Sequence, residues 1–368
     1  MITLLSHIHS LRWTIPCCLM MGSSSITMMF WGALRLLSAP LPQKIYRIGD
    51  DALFSSYMRL TLFFFHSYVK AKVYVYGDIE DIQERDENVI YLSNHQCTVD
   101  WIVACMLSEQ KQCTGMVRYV MKSGLKYLPI YGFYCYQHSC VFVGRSGKFN
   151  GEKFIKELQY LKNNEIPVWL VIYPEGTRYN PHLPEVIDKS KKYALDLGFK
   201  ELHHVLTPRI TALKSSLREL KDHVSAVYDV TIAYSNTYDT ETRERIPAYG
   251  MPDFVMGKSP EIHMNVERIN IKDIPIEDSK LQQWCYKQFA KKDRILTGFY
   301  DPDSNLYEKF PGNSSLLTIK QRQTIPAFIF YTTTLLTVVS YSEDSRDFYF
   351  KSSLCIMVGG LLWVSFRS

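Results

Sequence analysis

The stretch Val89-Ile90-Tyr91-Leu92-Ser93-Asn94-His95-Gln96-Cys97-Thr98-Val99-Asp100 decides the fold of this 368-residue chain. It opens with a short apolar run of β-favouring residues, and the segment from Val99 to Gln110 has the apolar spacing of a helix. We therefore predict a strand, then a loop that holds His95, then a helix with Thr98 as its N-cap and Asp100 in its first turn. The helix dipole favours an acidic residue in that turn.

His95 and Asp100 are the candidate catalytic pair. On one continuous helix, five residues amount to about 500° of rotation, which would point the two side chains apart. Across a junction between loop and helix they can meet, and the carboxylate would then fix the imidazole tautomer and leave the other nitrogen free to take a proton. The same spacing also fits a loop histidine beside a helix cap.

A second block places polar residues at the end of another predicted strand. Val168 to Tyr173 is a continuous apolar run, typical of a strand buried on both faces. It is followed by Pro174-Glu175-Gly176-Thr177-Arg178, in which glycine lets the backbone approach a ligand and arginine suits a phosphate. Open α/β sheets bind ligands at such ends of strands. The alternative is an ordinary turn with a surface arginine.

Of two further blocks, one follows the same logic of a strand that places a polar group at its end. Ser139 to Arg145 is a short β-like run that ends in arginine, and His204 to Arg209 is a short apolar run closed by Pro208. The alternation of strand and helix patterns along the chain predicts an α/β fold with a mixed sheet flanked by helices.

In these blocks the chain resembles the 1-acylglycerol-3-phosphate acyltransferases (lysophosphatidic acid acyltransferases), and most closely their epsilon type. The family's first motif, Asn-His, four residues, then Asp, is matched from Asn94 to Asp100. Its third, an aromatic residue before Pro-Glu-Gly-Thr-Arg, is matched from Tyr173 to Arg178. In the second, Ser139 replaces the usual glycine while Phe142 and Arg145 fit, and the fourth is matched loosely from Val205 to Pro208. The resemblance covers nearly the whole chain.

The resemblance implies a glycerolipid acyltransferase fold and a function. A hydroxyl of lysophosphatidic acid would attack the thioester of acyl-coenzyme A, with His95 as base and Asp100 as its partner. The implied acceptor site contains Arg145, Glu175, Gly176, Thr177 and Arg178. We expect the arginines to meet the phosphate, and Glu175 to brace an arginine or to accept a hydrogen bond from the glycerol. Coenzyme A enters as a substrate, so we expect no bound cofactor and no metal.

Composition agrees with a membrane enzyme. Hydrophobic residues make up 46% of the chain and charged ones 21%, with 25 tyrosines and 19 phenylalanines, and aromatic residues favour membrane interfaces. The net charge of +5 suits an anionic bilayer and phosphorylated substrates but is too small to indicate nucleic acid. We see no nucleic-acid-binding motif, and we expect the lipid bilayer, acyl-coenzyme A and lysophosphatidic acid as partners.

The nine cysteines and the scattered histidines predict neither disulfides nor a metal site. The cysteine count is odd and no pair has Cys-x-x-Cys spacing, which favours free thiols in a reducing compartment. Cys97 beside His95 is an alternative nucleophile, although nothing nearby clearly lowers the pKa of its thiol. His138, His203 and His204 match no recognised ligand spacing.

Four segments are long or apolar enough to be predicted as membrane-associated. Leu11–Leu37 predicts an uncleaved anchor, Leu53–Tyr68 an interfacial helix, and Ile325–Tyr341 with Leu354–Phe366 a helical hairpin. The predicted domains are residues 1–45 (anchor), 46–80 (interfacial helix), 81–320 (catalytic) and 321–368 (hairpin).

Charge bias predicts the orientation. Arg35, Lys44 and Arg47 follow the anchor and Lys320 and Arg322 precede the hairpin, which places the catalytic domain in the cytosol. We expect the endoplasmic reticulum membrane, with the mitochondrial outer membrane or the nuclear envelope as alternatives.

Three other functions are consistent with parts of the pattern. The same chemistry could act on another lysophospholipid. A membrane-embedded hydrolase would be expected to carry a Gly-x-Ser-x-Gly elbow, which is absent. A non-catalytic lipid-binding or scaffold protein would not need the intact pair of His95 and Asp100.

Overall fold

The computed structural model describes residues 2–144, 151–258 and 260–367. Its helices are α1 (Ile2–Leu37), α2 (Gln43–Leu62), α3 (Ile79–Glu84), α4 (Asp100–Gln110), α5 (Tyr131–Gln137), α6 (Gly151–Asn163), α7 (Pro184–Asp196), α8 (Thr211–Leu220), α9 (Met251–Val255), α10 (Asp278–Tyr300), α11 (Gln321–Ser340) and α12 (Glu343–Arg367). Its strands are β1 (Val73–Gly77), β2 (Val89–Ser93), β3 (Val117–Lys122), β4 (Val141–Val143), β5 (Trp169–Ile172), β6 (Ala226–Tyr234), β7 (Tyr238–Asp239), β8 (Glu244–Arg245), β9 (Ile262–Asn270) and β10 (Ser315–Leu316).

One mixed sheet organises the described chain, as the sequence predicts. Its strand order is β10-β1-β9-β6-β2-β5-β3-β4, and the five strands from β6 to β4 are parallel to one another. Strand β9 pairs antiparallel with β6 and parallel with β1. Because β2, β4 and β5 run the same way, the chain leaves all three at one edge of the sheet. That edge receives the predicted motif loops.

Both faces of the sheet are buried, which explains the continuous apolar runs in its strands. On β2, Val89 and Tyr91 join a core shared with α1, α2, α4 and α11. Ile90 and Leu92, which point to the opposite face, join a core shared with α6, α8 and α10. The alternation of side chains along a strand therefore divides the protein into two hydrophobic layers.

The apolar terminal segments are helical. Three helices, residues 12–37, 321–340 and 343–366, are long and apolar enough to cross a membrane. The predicted interfacial helix is part of α2, which continues as a π-helical stretch, Phe63–Tyr68. Strand β1 precedes residue 81, the predicted start of the catalytic domain, yet it pairs with β9 and β10. The sheet thus begins earlier than that boundary.

A buried carboxylate joins these helices to the sheet. Glu109, at the end of α4, accepts hydrogen bonds from Arg59 of α2 (2.8 Å), from Thr114 (2.7 Å) and from Gln323 of α11 (3.1 Å). A hydrogen bond to a charged group typically contributes about 1.5–3 kcal/mol, and leaving such a group unpaired costs more. Glu109 therefore fixes α2 and α11 against the helix that follows the His95 loop.

The position of Asn313 yields a test of orientation. Asn313-Ser314-Ser315 matches the glycosylation acceptor pattern, and Asn313 is exposed beside β10, which pairs with β1 of the sheet. None of the three long apolar helices lies between residues 38 and 320. If these three helices cross a membrane, Asn313 lies on the same side of it as the edge that holds His95.

If that side is the cytosol, Asn313 should stay unmodified in cells although it is accessible. The measurement is the electrophoretic mobility of the full chain and of Asn313→Gln, each with and without glycosidase. An acceptor sequence attached ahead of Met1 by a flexible linker serves as the control, and it should be glycosylated if α1 spans the membrane. A glycosidase-sensitive shift that disappears in Asn313→Gln would place the sheet in the lumen.

Candidate active site

The predicted site residues lie along the edge where the parallel strands end. The His95 loop follows β2, and the loop from Pro174 to Tyr179 follows β5. The structure brings His95, Asp100 and Glu175 into direct contact. Arg145, which follows β4, lies outside the described residues.

His95 and Asp100 form the expected dyad. The Nδ1 of His95 lies 2.7 Å from Oδ2 of Asp100, the first residue of α4. Asp100 is fully buried, while the His95 side chain is 24% exposed. Because the Asp100 carboxylate accepts a hydrogen bond from Nδ1–H, Nε2 is the nitrogen left to accept a proton from a substrate. The geometry is that of an oriented general base.

The loop is shaped by Asp100 rather than by the predicted cap, Thr98. Oδ2 of Asp100 also accepts the backbone N–H groups of Gln96 (2.7 Å) and Cys97 (3.0 Å). Thr98 makes no capping hydrogen bond; its hydroxyl accepts the N–H of Met251 at 3.2 Å. The prediction of Thr98 as N-cap is therefore wrong: the helix begins at Asp100 with Val99 at the N-cap position, and the Thr98 hydroxyl faces Met251 instead.

Tyr234 completes the surroundings of Asp100. It ends β6, is fully buried, and donates its hydroxyl to Oδ1 of Asp100. Burial, reinforced by Asp100, raises the pKa of this phenol far above its usual range, so it stays a donor. The sequence analysis missed Tyr234 because it lies 134 residues from Asp100; the signal available was only a tyrosine at the end of a predicted strand.

Glu175 holds two loops together. Its Oε1 accepts the N–H of His95 (2.8 Å) and its Oε2 accepts the N–H of Leu206 (2.9 Å). Within the described residues Glu175 pairs with no arginine, because its oxygens bind backbone N–H groups, and the expected hydrogen bond from the glycerol stays a prediction. Burial raises the pKa of Glu175 to about 8, although both backbone hydrogen bonds oppose the shift.

The backbone of His95 is held from both sides. Its carbonyl accepts the N–H of Tyr179 at 2.8 Å, which ties it to the loop after β5. Its ring stacks on Tyr173, with centroids 4.4 Å apart and planes at 23°. These contacts fix both the position of the histidine and the direction of its ring.

Asn94 and Gln96, on either side of His95, were also missed as contributors. Asn94 extends the pairing of β2 with β6 through its side chain, which donates to the carbonyl of Ile232 (2.9 Å) and accepts its N–H (2.7 Å). Gln96 donates to the carbonyl of His204 (2.8 Å) and accepts from Arg245 (3.0 Å). Each replaces a backbone partner that the loop cannot supply.

The loop from Gly176 to Arg178 is open to solvent. Gly176 has φ +69° with free space around it, so backbone conformation rather than crowding requires glycine. Arg178 is exposed, and within the described ranges its guanidinium makes no hydrogen bond or salt bridge. Thr177 between them is half-buried. This loop leaves an arginine available at the edge of the dyad.

The structure explains the serine that departs from the second motif. Ser139 has φ +64° and follows α5, where the N–H of Cys140 donates to the carbonyl of Cys135 (2.9 Å) and that of Ser139 to Tyr136 (3.1 Å). This is a helix end that favours a left-handed residue, most often glycine. Serine therefore keeps the turn at a cost of about 1–2 kcal/mol.

Cys97 is not activated as a nucleophile. Its Sγ donates to the carbonyl of Tyr249 at 2.6 Å. Burial first, and Asp100 second, raise the pKa of this thiol to about 12, while the charge of Arg178 weakly opposes them. A thiol with that pKa is protonated at neutral pH, and the thiolate is the reactive form.

The described histidines do not gather into the metal site considered from sequence. His138 binds Asp50 (2.8 Å), while the backbone N–H groups of His203 and His204 bind Asp293. Within the described residues, one group, Asp50, Asp51 and His138, is compact enough to hold a cation. Arg118 already pairs with Asp51 at 2.6 Å, so this cluster carries its own positive charge.

Comparisons with known proteins agree with the geometry. Residues 72–235 match the family model described as Acyltransferase, and residues 253–332 match Acyltransferase C-terminus. The chain is 38% identical to the 1-acyl-sn-glycerol-3-phosphate acyltransferase epsilon of Mus musculus over 99% of this chain and 98% of that protein. It is 29% identical to the 2-acyl-1-lysophosphatidylinositol acyltransferase of Saccharomyces cerevisiae, over 59% of this chain and 64% of that protein.

A solved structure also aligns with most of the chain. The crystal structure of the 1-acyl-sn-glycerophosphate (LPA) acyltransferase from Thermotoga maritima covers 78% of this chain and 98% of its own, at 16% identity and a TM-score of 0.44.

The contact of Tyr234 with Asp100 predicts a catalytic effect of a conservative change. Tyr234→Phe keeps the buried ring and removes the hydrogen bond to Oδ1, so kcat should fall about tenfold with little change in KM. The less shielded carboxylate should hold the protonated imidazole more strongly, so the acidic limb of the pH–rate profile should move to higher pH. Wild-type kcat and an unmoved profile would show that the hydroxyl plays no part.

The raised pKa of Glu175 predicts a pH-dependent stability. Because the folded-state pKa is about 8 and the ordinary value is 4.5, the native chain binds the proton more tightly than the unfolded chain between these values. The stabilising contribution is complete below the ordinary pKa and is lost as the pH rises through the folded value. The Tm in detergent should therefore drop with rising pH more steeply for wild type than for Glu175→Gln.

Exposed Glu152 provides the control, and Glu152→Gln should follow the wild-type curve. Parallel curves for Glu175→Gln and wild type would show that Glu175 is ionised throughout.

Proposed function

The chain belongs to the 1-acyl-sn-glycerol-3-phosphate acyltransferase family, and we propose that it transfers an acyl group from acyl-coenzyme A to the sn-2 hydroxyl of lysophosphatidic acid. The products are phosphatidic acid and coenzyme A, a step of phospholipid biosynthesis. The observation that carries the proposal is the dyad: a partly exposed histidine held at 2.7 Å from a buried aspartate, at the edge where the parallel strands end.

His95 acts as the general base. As the acceptor hydroxyl attacks the thioester carbonyl, Nε2 of His95 takes the hydroxyl proton and a tetrahedral oxyanion forms. Its collapse breaks the carbon–sulfur bond, and the departing thiolate takes the proton from the imidazolium. Asp100 remains a carboxylate throughout and stabilises the transient imidazolium. A positioned base of this kind contributes about 10²–10⁴-fold to the rate.

The acceptor hydroxyl is the nucleophile, so the protein supplies none. The protonated, hydrogen-bonded thiol of Cys97 supports this assignment. Two amphiphilic substrates held in line also lower the barrier by converting a bimolecular encounter into a local one.

Arg178 is proposed to bind the acceptor phosphate. It is exposed in the loop after β5, and its planar guanidinium can form paired hydrogen bonds to phosphate oxygens. Gly176 and Thr177 shape this loop, and Arg145 is proposed as a second cation. Glu175 is proposed to act on substrate through His95, whose N–H it binds, rather than as a phosphate ligand.

A related acceptor is the second candidate. The yeast relative is named for acylation of a lysophosphatidylinositol, and the dyad itself is indifferent to the group beyond the phosphate. An exposed Arg178 leaves space for a larger headgroup on its solvent side.

The membrane is the proposed source of the lipid substrate. Helices α1, α11 and α12 would anchor the chain, with the dyad on the cytosolic side where acyl-coenzyme A is available. The endoplasmic reticulum is the proposed membrane, with the mitochondrial outer membrane and nuclear envelope as alternatives.

In the deciding experiment, the full chain is purified in detergent and incubated with labelled oleoyl-coenzyme A. It is tested with three acceptors: lysophosphatidic acid, lysophosphatidylinositol and lysophosphatidylcholine. We expect labelled phosphatidic acid as the main product. Preferred labelling of another acceptor would reassign the substrate, and free labelled oleate alone would indicate a hydrolase.

His95→Ala should reduce turnover by at least about 10²-fold while the protein still inserts into membranes. Asp100→Asn should also be severely impaired, because an amide supports the wrong tautomer of His95. Cys97→Ser, in the same loop, is the matched control and should remain active. Near-normal turnover by His95→Ala would remove the proposed base, and an inactive Cys97→Ser would restore the thiol as a nucleophile.

A further inference from the structure

The β-hairpin formed by β7 and β8 lies next to the edge of the sheet that holds the dyad. Strands β7 and β8 follow β6, whose last residue, Tyr234, binds Asp100. The chain after β8 then closes against the dyad loop, where Tyr249 accepts the thiol of Cys97 and Met251 donates to Thr98. The hairpin is thus a wall beside His95, and it contributes one buried cation, Arg245.

Arg245 lies between the loops of the first and third motifs. Its Nη2 donates to Oε1 of Gln96 at 3.0 Å. Its guanidinium carbon stands 3.6 Å from the ring centroid of Tyr300 and 4.9 Å from that of Tyr179. Gln96 is the residue after His95, and the N–H of Tyr179 binds the carbonyl of His95. Two direct neighbours of Arg245 therefore also adjoin the catalytic base.

The charge of Arg245 is unmatched. The residue is only 9% exposed, yet its Nε and Nη1 have no hydrogen-bond partner, and within the described residues it forms no salt bridge. Other well-buried arginines do meet carboxylates: Arg118 lies 2.6 Å from Asp51, and Arg268 binds Glu87 through two nitrogens at 2.8 and 2.7 Å. Burying a guanidinium without a counter-ion is energetically unfavourable, so we expect an anion to stabilise Arg245.

The surroundings of Arg245 supply no such anion. Gln96 is a neutral amide. Burial first, and the charge of Arg245 second, lower the pKa of His204 to about 3, so that imidazole is neutral at physiological pH. The carboxylate of Asp293 is engaged by the N–H groups of His203 and His204 at 2.9 and 2.6 Å. Because no carboxylate of the described residues pairs with Arg245, an anionic ligand would supply the missing negative charge.

We propose that Arg245 binds a phosphate group of a substrate beside the dyad through Nε and Nη1, two nitrogens that have no hydrogen-bond partner and that stay buried until substrate binding exposes them. This inference rests on the proposed function, in which both substrates carry phosphate: the acceptor has one on its glycerol, and coenzyme A has a 3′-phosphate and a pyrophosphate. Nε and one terminal nitrogen form the fork that meets two phosphate oxygens. Because Nη2 holds Gln96, phosphate binding also fixes the loop of His95.

The test removes the arginine and the phosphate separately. Arg245→Met and Arg245→Lys are compared with wild type and with Arg243→Met, an exposed arginine of the same hairpin. The acceptor is either lysophosphatidic acid or the monoacylglycerol with the same chain. The donor is either acyl-coenzyme A or the acyl-pantetheine that lacks its phosphates.

With both natural substrates, Arg245→Met should lower kcat/KM at least about tenfold, mainly through KM, and Arg243→Met should have no effect. Arg245→Lys should recover part of the loss. If Arg245 binds the acceptor phosphate, the loss should vanish with the monoacylglycerol. If Arg245 binds a phosphate of coenzyme A, the loss should vanish with the acyl-pantetheine. An equal loss with every substrate pair would overturn the proposal and leave Arg245 as a support for Gln96 alone.

A binding measurement separates this proposal from the proposed function. Titration calorimetry of the full chain in detergent uses glycerol 3-phosphate and adenosine 3′,5′-bisphosphate as probes. Arg245→Met should lose binding of one probe at an unchanged Tm, while Arg243→Met keeps both. That result in a chain without acyltransferase activity would leave the phosphate site standing and reject the function. Unaltered binding of both probes in an active enzyme would reject the site alone.

Discussion

One buried carboxylate sets the geometry on which the site depends. Asp100 lies out of contact with water, so its charge must be met by hydrogen bonds from the protein. It accepts them from the His95 ring, from two backbone N–H groups of the loop and from Tyr234. The same interactions that stabilise the charge therefore fold the loop, set the tautomer of His95 and attach α4 to the end of β6. A carboxylate with fewer donors could not be buried here, and an exposed one would hold the imidazole less firmly.

The two buried faces of the sheet give the dyad its setting. One face packs against α1, α2, α4 and α11, and the other against α6, α8 and α10. The first group includes two of the long apolar helices, so the layer nearest a bilayer would also carry α4, the helix that begins with Asp100. Glu109 at the opposite end of α4 binds both α2 and α11. This arrangement relates the position of the dyad to the long apolar helices α1 and α11.

Local patterns predicted β2, β4 and β5, the dyad and the loop after β5, because a strand of apolar residues followed by polar ones is a signal within a few positions. They failed where distant segments decide. Thr98 is a residue type that favours N-caps, yet the helix begins at Asp100 with Val99 at the N-cap position, and the Thr98 hydroxyl accepts from Met251, 153 residues away. The role of Glu175 depends on Leu206, and the contact of Gln96 on Arg245. The residue pattern within each segment does not indicate these contacts. They form only when the order of the strands in the sheet brings the loops together.

The distribution of satisfied and unsatisfied groups along this edge separates scaffold from binding surface. Glu175 uses both oxygens on backbone N–H groups, and Asn94 uses both ends of its amide on β6. These groups therefore serve the shape of the loop. The cations differ: Arg178 is open to solvent, and Arg245 is buried with two nitrogens unused. In water the first is hydrated at no cost, whereas the second is stabilised fully only when an anion arrives. A buried donor of this kind discriminates more strongly than an exposed one, because a ligand without the matching charge leaves it unpaired.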